Sequence, residues 1–434
     1  MISNRSRSIH IKVRYIAFIL LIPLLLSCGQ KSSEKSNSYK IAANDSTYIV
    51  DIVAADYAYS MPSEIPSGWV TFRMQNKGNH EHHGIIGKFP DSLGYKKLNK
   101  MVIQSIGNEN KFNQLQQLSV GQLGGPAGIS PGGTAETTVQ LEPGLYVFTC
   151  WLVAPDGKLH AEKGMQRAFK VTSEKSGATK PNGTIDITLS DYVIEIEDPI
   201  EAGDQIFNVN FQNSNNVYLA QLKEGQNFDE LIKWMTKVQT PSEFTFLGGA
   251  ENAPAGMKST FKATLEPGRY ALVTYGNSIS GMAEAFTVPS TGSIQPSKDK
   301  TENSPVLIES TSGNPTLPNT LPVGHTPVTI KNTGTKGQQY LLYMLKKGAT
   351  QEEFRTFFEN AYVDQSVNPN EMENPAYLAW YKVIGPGQEQ EFVFKVYPEN
   401  YVLIGPLLPP PPVILDSSPW NRGAVHTIKG IPSK

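Results

Sequence analysis

Cysteine is nearly absent from this chain: 434 residues contain two, Cys28 and Cys150. One is needed elsewhere, as shown below, and a single remaining thiol cannot form an internal disulfide. Histidine is also scarce, at seven residues, which restricts how many imidazole-rich metal sites the chain can build. Charged residues make up 18% of the sequence, net charge is −2, and no long basic or acidic block occurs. That balance argues against nucleic acid as a partner, because phosphate binding needs concentrated positive charge. Paired carboxylates, a nucleophile elbow and a Gly-rich phosphate loop are all missing, so an enzyme is not expected. Gly124-Gly125 and Gly132-Gly133 read as turn glycines.

What is present begins at the N-terminus. Arg5, Arg7, Lys12 and Arg14 precede an apolar run over residues 15–26. The run is too short for a comfortable membrane span and reads as a secretory signal over 1–27. It ends in Leu25-Leu26-Ser27-Cys28, which resembles a bacterial lipoprotein cleavage box, with Cys28 as the lipidated first residue of the mature chain. Residues 28–39 are polar and suit a flexible tether. The expected location is therefore the cell envelope, with a lipid anchor at the outer membrane or on the periplasmic face. Outside the cytoplasm a lone thiol such as Cys150 must be well buried or bound to something.

Thirty-seven glycines and 31 prolines, among many Val, Thr, Phe and Tyr, point to strands joined by tight turns. Internal recurrence sets the architecture. Leu141-Glu-Pro-Gly-Leu-Tyr146 returns as Leu265-Glu-Pro-Gly-Arg-Tyr270 and, more loosely, as Val396-Tyr-Pro-Glu-Asn-Tyr401. Each copy is preceded by a Pro/Gly turn with an alternating strand and, earlier, by a strand ending in Asn76, Asn213 or Asn332. Such spacing indicates three copies of one fold. Linkers at 173–182 and 290–304 separate units at 40–172, 183–289 and 303–430, each long enough for its own β-sandwich core. Apolar residues at helical spacing, clearest at Phe228, Leu231, Ile232, Met235 and Val238, predict one amphipathic insertion per copy, with counterparts near 96–118 and 350–360.

One stretch carries chemistry. Tyr146, Phe148 and Cys150 alternate onto one face of a strand, and His160 and Gly164-Met165 follow on the loop to the next strand. A thiolate, imidazoles and a thioether form the soft donor set of a one-electron copper centre. A second histidine must come from His80-Glu81-His82-His83. His83 is favoured because Ile85 shares its face, with His82 as the alternative. On these residues the first unit resembles the cupredoxins, and its long ligand loop is similar to that of copper nitrite reductases. The resemblance implies an all-β chain of three tandem Greek-key cupredoxin-like β-sandwiches, each with a short helical insertion. It also implies one type 1 copper, in the first unit only, held by His83 (or His82), Cys150, His160 and Met165. Asn76 would brace the loop, His160 would offer an edge for electron exchange, and Trp151 would shield the metal or dock a redox protein.

Alignment on the Tyr anchors sets Thr274 and Gly405 opposite Cys150, so units two and three are expected to have lost their ligands. Too few histidines remain for a multicopper oxidase cluster. His325 and His426 show no spacing that would complete a catalytic copper site. Two other functions fit the same sequence: a metal-free interaction scaffold of three sandwiches, and copper delivery or storage through the same ligands.

Overall fold

The computed structural model describes residues 47–190, 192–213, 215–276, 278, 281–294, 303–310, 315–364, 366, 374–407, 419 and 424–432. The signal, Cys28, the tether and the proline run at 409–412 lie outside these residues. All of the described residues belong to one compact unit, Tyr39–Lys434. The fold is mostly β, with several sheets and, among the described residues, four short α-helices.

The first repeat contains β1 (Ile49–Ala55), β2 (Ala58–Ser60), β3 (Glu64–Asn76), β4 (Ile85–Phe89), α1 (Tyr95–Ser105), α2 (Glu109–Gln116), β5 (Gly121–Gln122), β6 (Thr134–Leu141), β7 (Gly144–Thr149) and β8 (Gln166–Lys175). Strand β3 serves both layers. Its first residues pair with β8, it turns at Gly68 (φ +104°), and from there it pairs with β1 and β6. The second layer runs β8-β7-β4-β5. Alternation holds in β1, where Val50, Ile52 and Ala54 are buried and Asp51 is exposed. In β7 it does not, because both faces are covered. Tyr146 and Phe148 point into the sandwich, while Leu145 and Val147 pack against Leu98 and Val102 of α1 and Leu115 of α2. The insertion at 96–118 is thus two helices, parted at Gly107 (φ +67°), and they lie on the outside of the site-bearing sheet.

The recurring Tyr has a structural cause. Tyr146 Oη donates to Glu142 O at 2.7 Å, Tyr270 Oη to Glu266 O at 2.8 Å, and Tyr401 Oη to Tyr397 O at 3.4 Å. Each phenol closes the tight turn four residues behind it while its ring fills the core, a corner seen in other β-sandwiches. The recurring Asn braces its loop both locally and to a distant segment. Asn76 Nδ2 donates to His80 O and Ile129 O, and Asn332 Nδ2 to Lys336 O and Ile384 O.

In the second repeat, strands Asn215–Leu222, Thr245–Ala253, Gly268–Val273 and Ala283–Val288 form one layer, and α3 (Phe228–Trp234) is its insertion. The third repeat pairs Val306–Ser310, Gly324–Asn332 and Glu389–Val396 in one layer. Its helix α4 (Gln351–Tyr362) opens with a capping box between Thr350 and Glu353. The other layer of the second repeat is continuous with the first repeat: strand Lys258–Leu265 pairs with β6, setting Thr260 opposite Thr138 and Phe261 opposite Thr137. One sheet therefore runs through both repeats.

Candidate metal centre

Cys150 follows directly after β7, and backbone bonds tie its loop into a knot. Cys150 N–H donates to Met165 O (3.1 Å), Met165 N–H to His160 O (2.9 Å), Ala161 N–H to Cys150 O (2.9 Å) and His160 N–H to Leu152 O (2.9 Å). The spacing between Cys150, His160 and Met165 is what lets these bonds close. His82 arrives from the opposite side, locked by reciprocal backbone bonds with Ile129 (3.2 and 2.9 Å). Asn76 holds the same loop through His80 O and Ile129 O, the bracing role that the resemblance implies.

His82, Cys150 and His160 form a buried group whose ligand atoms all lie within 4.8 Å of one another. His160 Nδ1 is 3.5 Å from Cys150 Sγ. Met165 is fully buried in the same core cluster as Cys150. His82 Nε2 faces Asp56 Oδ1 at 2.9 Å, which places the ring proton on Nε2. Among the described residues His82 Nδ1 is left buried with no hydrogen-bond partner, a lone pair that receives no proton donor. Burial alone would raise the pKa of Asp56, but hydrogen bonds from Asn79 N–H and Nδ2, His80 N–H and His82 hold it below the usual carboxylate value. It therefore stays ionised and fixes His82. Burial disfavours a thiolate at Cys150, and the side-chain contact with His160 acts the other way and favours it. A soft, dehydrated set of one sulfur and two imidazoles suits copper, and a carboxylate behind one imidazole is the usual outer support of a metal-bound histidine.

His83, the favoured first histidine of the sequence reading, lies outside this three-residue group, and His82 lies within it. Neighbouring residues of an extended segment face opposite ways. His82 shares its face with Gly84 and Ile86, toward Phe148 in the sandwich core, whereas His83 and Ile85 turn toward the second repeat. Both faces carry an isoleucine, so apolar alternation has no power to choose between them. His83 Nδ1 meets Glu251 Oε1 at 2.5 Å and Tyr218 Oη at 2.8 Å, and Tyr218 Oη also donates to Glu251. Tyr59 Oη donates to His83 O. Burial alone lowers the pKa of His83, and Glu251 followed by Cys150 reverses that and raises it. The Trp151 N–H nevertheless donates to His83 Nε2 at 2.6 Å, which needs the lone pair there. The short contact decides the tautomer, and the ring proton sits on Nδ1, facing Glu251.

Gly84 shows how tightly this segment is seated. A Cβ at this position would lie 1.8 Å from Phe148 Cζ. Gly84→Ala is therefore expected to cost roughly 1–3 kcal/mol through overpacking, read as a lowered denaturant midpoint at constant m-value.

Other expected residues are distributed as follows. His160, expected to offer an exposed edge, is completely buried, and its Nε2 faces Thr240 Oγ1 of the second repeat at 3.1 Å. Trp151 packs near Phe112 of α2 and lines a cavity of about 260 Å³ with His83, Tyr218, Glu251 and Tyr275. Thr274, aligned with Cys150, is buried, and its hydroxyl donates to Met282 O. His325 and His426 belong to the third repeat, on strands Gly324–Asn332 and Val425–Ile431. Asp56, Tyr218, Thr240 and Glu251 were not singled out from sequence. Glu251 alone carried a signal there, as one carboxylate in an otherwise uncharged strand.

No protein-family model matches this chain, and no curated protein matches it. Among solved structures the chain is similar to reduced auracyanin from the photosynthetic bacterium Roseiflexus castenholzii, at 21% identity over 30% of this chain and 98% of that one, TM-score 0.19. It is similar to auracyanin A, a "blue" copper protein from Chloroflexus aurantiacus, at 16% identity over 29% and 99%, TM-score 0.19. It is also similar to the copper-containing nitrite reductase of Thermus scotoductus, at 11% identity over 89% and 99%, TM-score 0.18. At these values the likeness carries no argument, and the chemistry of the site rests on the geometry above.

Proposed function

We propose that this protein is an exported, lipid-anchored copper protein that carries single electrons through a type 1 site in its first repeat, with His82, Cys150 and His160 as the principal ligands and Met165 as the weak axial one. The observation that carries this reading is His82 Nδ1, fully buried, without a hydrogen-bond partner among the described residues, and grouped with a thiol and a second imidazole. A copper ion bound there would supply one-electron Cu(II)/Cu(I) chemistry. The chain's part is to hold its donors still and dry. Asp56 fixes His82, the knotted loop fixes Cys150, His160 and Met165, and Phe148 and Tyr59 pack behind them.

The buried His160 leaves one aromatic route toward solvent. Tyr57 stands edge-on to its ring at 4.9 Å, and His80 lies at 5.9 Å with 20% of its side chain exposed. A redox protein docking over Tyr57 and His80 is the partner this arrangement suits. The lipoprotein-like box at Cys28 supports a membrane-surface location in the cell envelope, and a carrier of this kind is not itself an enzyme.

Cu(II) added to the full-length chain is expected to produce an intense visible thiolate-to-copper band. The band should vanish in Cys150→Ser, be lost or greatly weakened in His82→Ala, and persist in His83→Ala. A wild-type protein that stays colourless and leaves the copper in solution would sink the proposal in favour of a metal-free scaffold.

A further inference from the structure

The second repeat has threonine where the first has its thiolate, yet it reaches into the first repeat's metal group. Thr240 lies beyond α3, on a segment bonded to the ligand loop: Val153 N–H donates to Val238 O at 3.2 Å and Thr240 N–H to Val153 O at 2.8 Å. The Thr240 hydroxyl donates to the same Val153 carbonyl at 3.0 Å. Its only proton is thereby committed, and lone pairs alone remain for His160 Nε2, 3.1 Å away. His160 must then carry its proton on Nε2, leaving Nδ1 as a lone pair aimed at Cys150 Sγ, 3.5 Å off. Thr240 is 2% exposed and His160 0%, so no water competes for this bond.

We infer that Thr240 is a positioning residue for the metal centre: it selects the metal-binding tautomer of His160, sets the plane of the ring and closes its outer edge. A repeat without its own thiolate thus completes the site of its neighbour. The inference rests on the copper reading given above. It also makes the two imidazoles asymmetric. His82 is backed by a carboxylate, which makes its ring a stronger donor, and His160 by a neutral hydroxyl, which orients the ring with little added basicity.

Thr240→Val preserves shape and removes the hydroxyl, and Thr240→Ser restores it. In the full-length chain Thr240→Val is expected to weaken Cu(II) affinity by about 10- to 100-fold, raise the reduction potential and shift the charge-transfer band, with Thr240→Ser close to wild type. Affinity, potential and spectrum all equal to wild type in Thr240→Val would overturn the assignment while leaving the copper reading intact. Should the valine variant fail to fold, ¹⁵N shifts of the histidine rings in metal-free wild type give the same test. Protonation of His160 at Nε2 is expected, and protonation at Nδ1 overturns the role. A wild type that takes up no copper overturns both this role and the reading on which it rests.

Discussion

A chain cut after residue 172 is expected to lose its cooperative fold, even though it retains His82, Cys150, His160 and Met165. The first repeat does not end at its own surface. Strand β6 has β3 on one side and the second repeat's Lys258–Leu265 strand on the other. Backbone bonds continue the junction: Gly124 N–H to Asn252 O, Glu251 N–H to Gly125 O, Gly248 N–H to Gly128 O and Ser130 N–H to Phe246 O. Ala127 and Ile129 lie in one apolar cluster with Tyr218 and Phe246 of the second repeat. Truncation turns β6 into a bare edge, a template for aggregation, and exposes apolar surface worth roughly 25 cal/mol per Å². Against a total stability of about 5–15 kcal/mol for a typical domain, such losses are decisive. Size-exclusion chromatography and a circular-dichroism melt would read the effect. A monomeric fragment melting as sharply as the full chain would show that the junction is dispensable.

Glu251→Ala should destabilise the whole protein by roughly 1–3 kcal/mol for each of the two buried donors it leaves without an acceptor. Glu251 is 1% exposed, and both His83 and Tyr218 converge on its Oε1. Without it, His83 loses its proton acceptor and Tyr218 an acceptor, at a place water scarcely reaches. Glu251→Gln keeps an acceptor oxygen and should cost distinctly less. Urea titration with an unchanged m-value would isolate the stability effect. Equal midpoints for Glu251→Ala and wild type would mean that the junction holds without this pair. Cys150 sits just beyond His83, so a loss here also loosens the ligand loop through the Trp151 N–H bond to His83 Nε2.

The recurring Leu-Glu-Pro-Gly-x-Tyr motif was readable because its cause is local: a phenol closing a turn four residues back needs no distant partner. The Asn motif is local only in part: Asn76 and Asn332 each bond a carbonyl four residues on, and also Ile129 and Ile384, distant in the chain. Helix α4 starts where Thr350 and Glu353 cap it, and α3 begins at Phe228, because capping and apolar spacing act within a few residues. By contrast, β7 is buried on both faces because α1 and α2 cover its outside, and nothing within the strand's own alternation records that. The choice between His82 and His83 failed to resolve for a related reason. Ile85 and Ile86 are equally apolar, one facing the neighbouring repeat and the other the repeat's own core.

By itself, then, the sequence determined the β character of the chain and the approach of Cys150, His160 and Met165 to one another, since each depends on contacts formed within a turn, a strand pair or a single loop. Only the tertiary structure decided which histidine joins them and how the repeats interlock. It alone decided that Thr240 meets His160 and that Glu251 meets His83, partners far apart in the chain. Those outcomes depend on which surfaces meet when two sandwiches share a sheet, and that geometry is set by the summed packing of residues far apart in the chain.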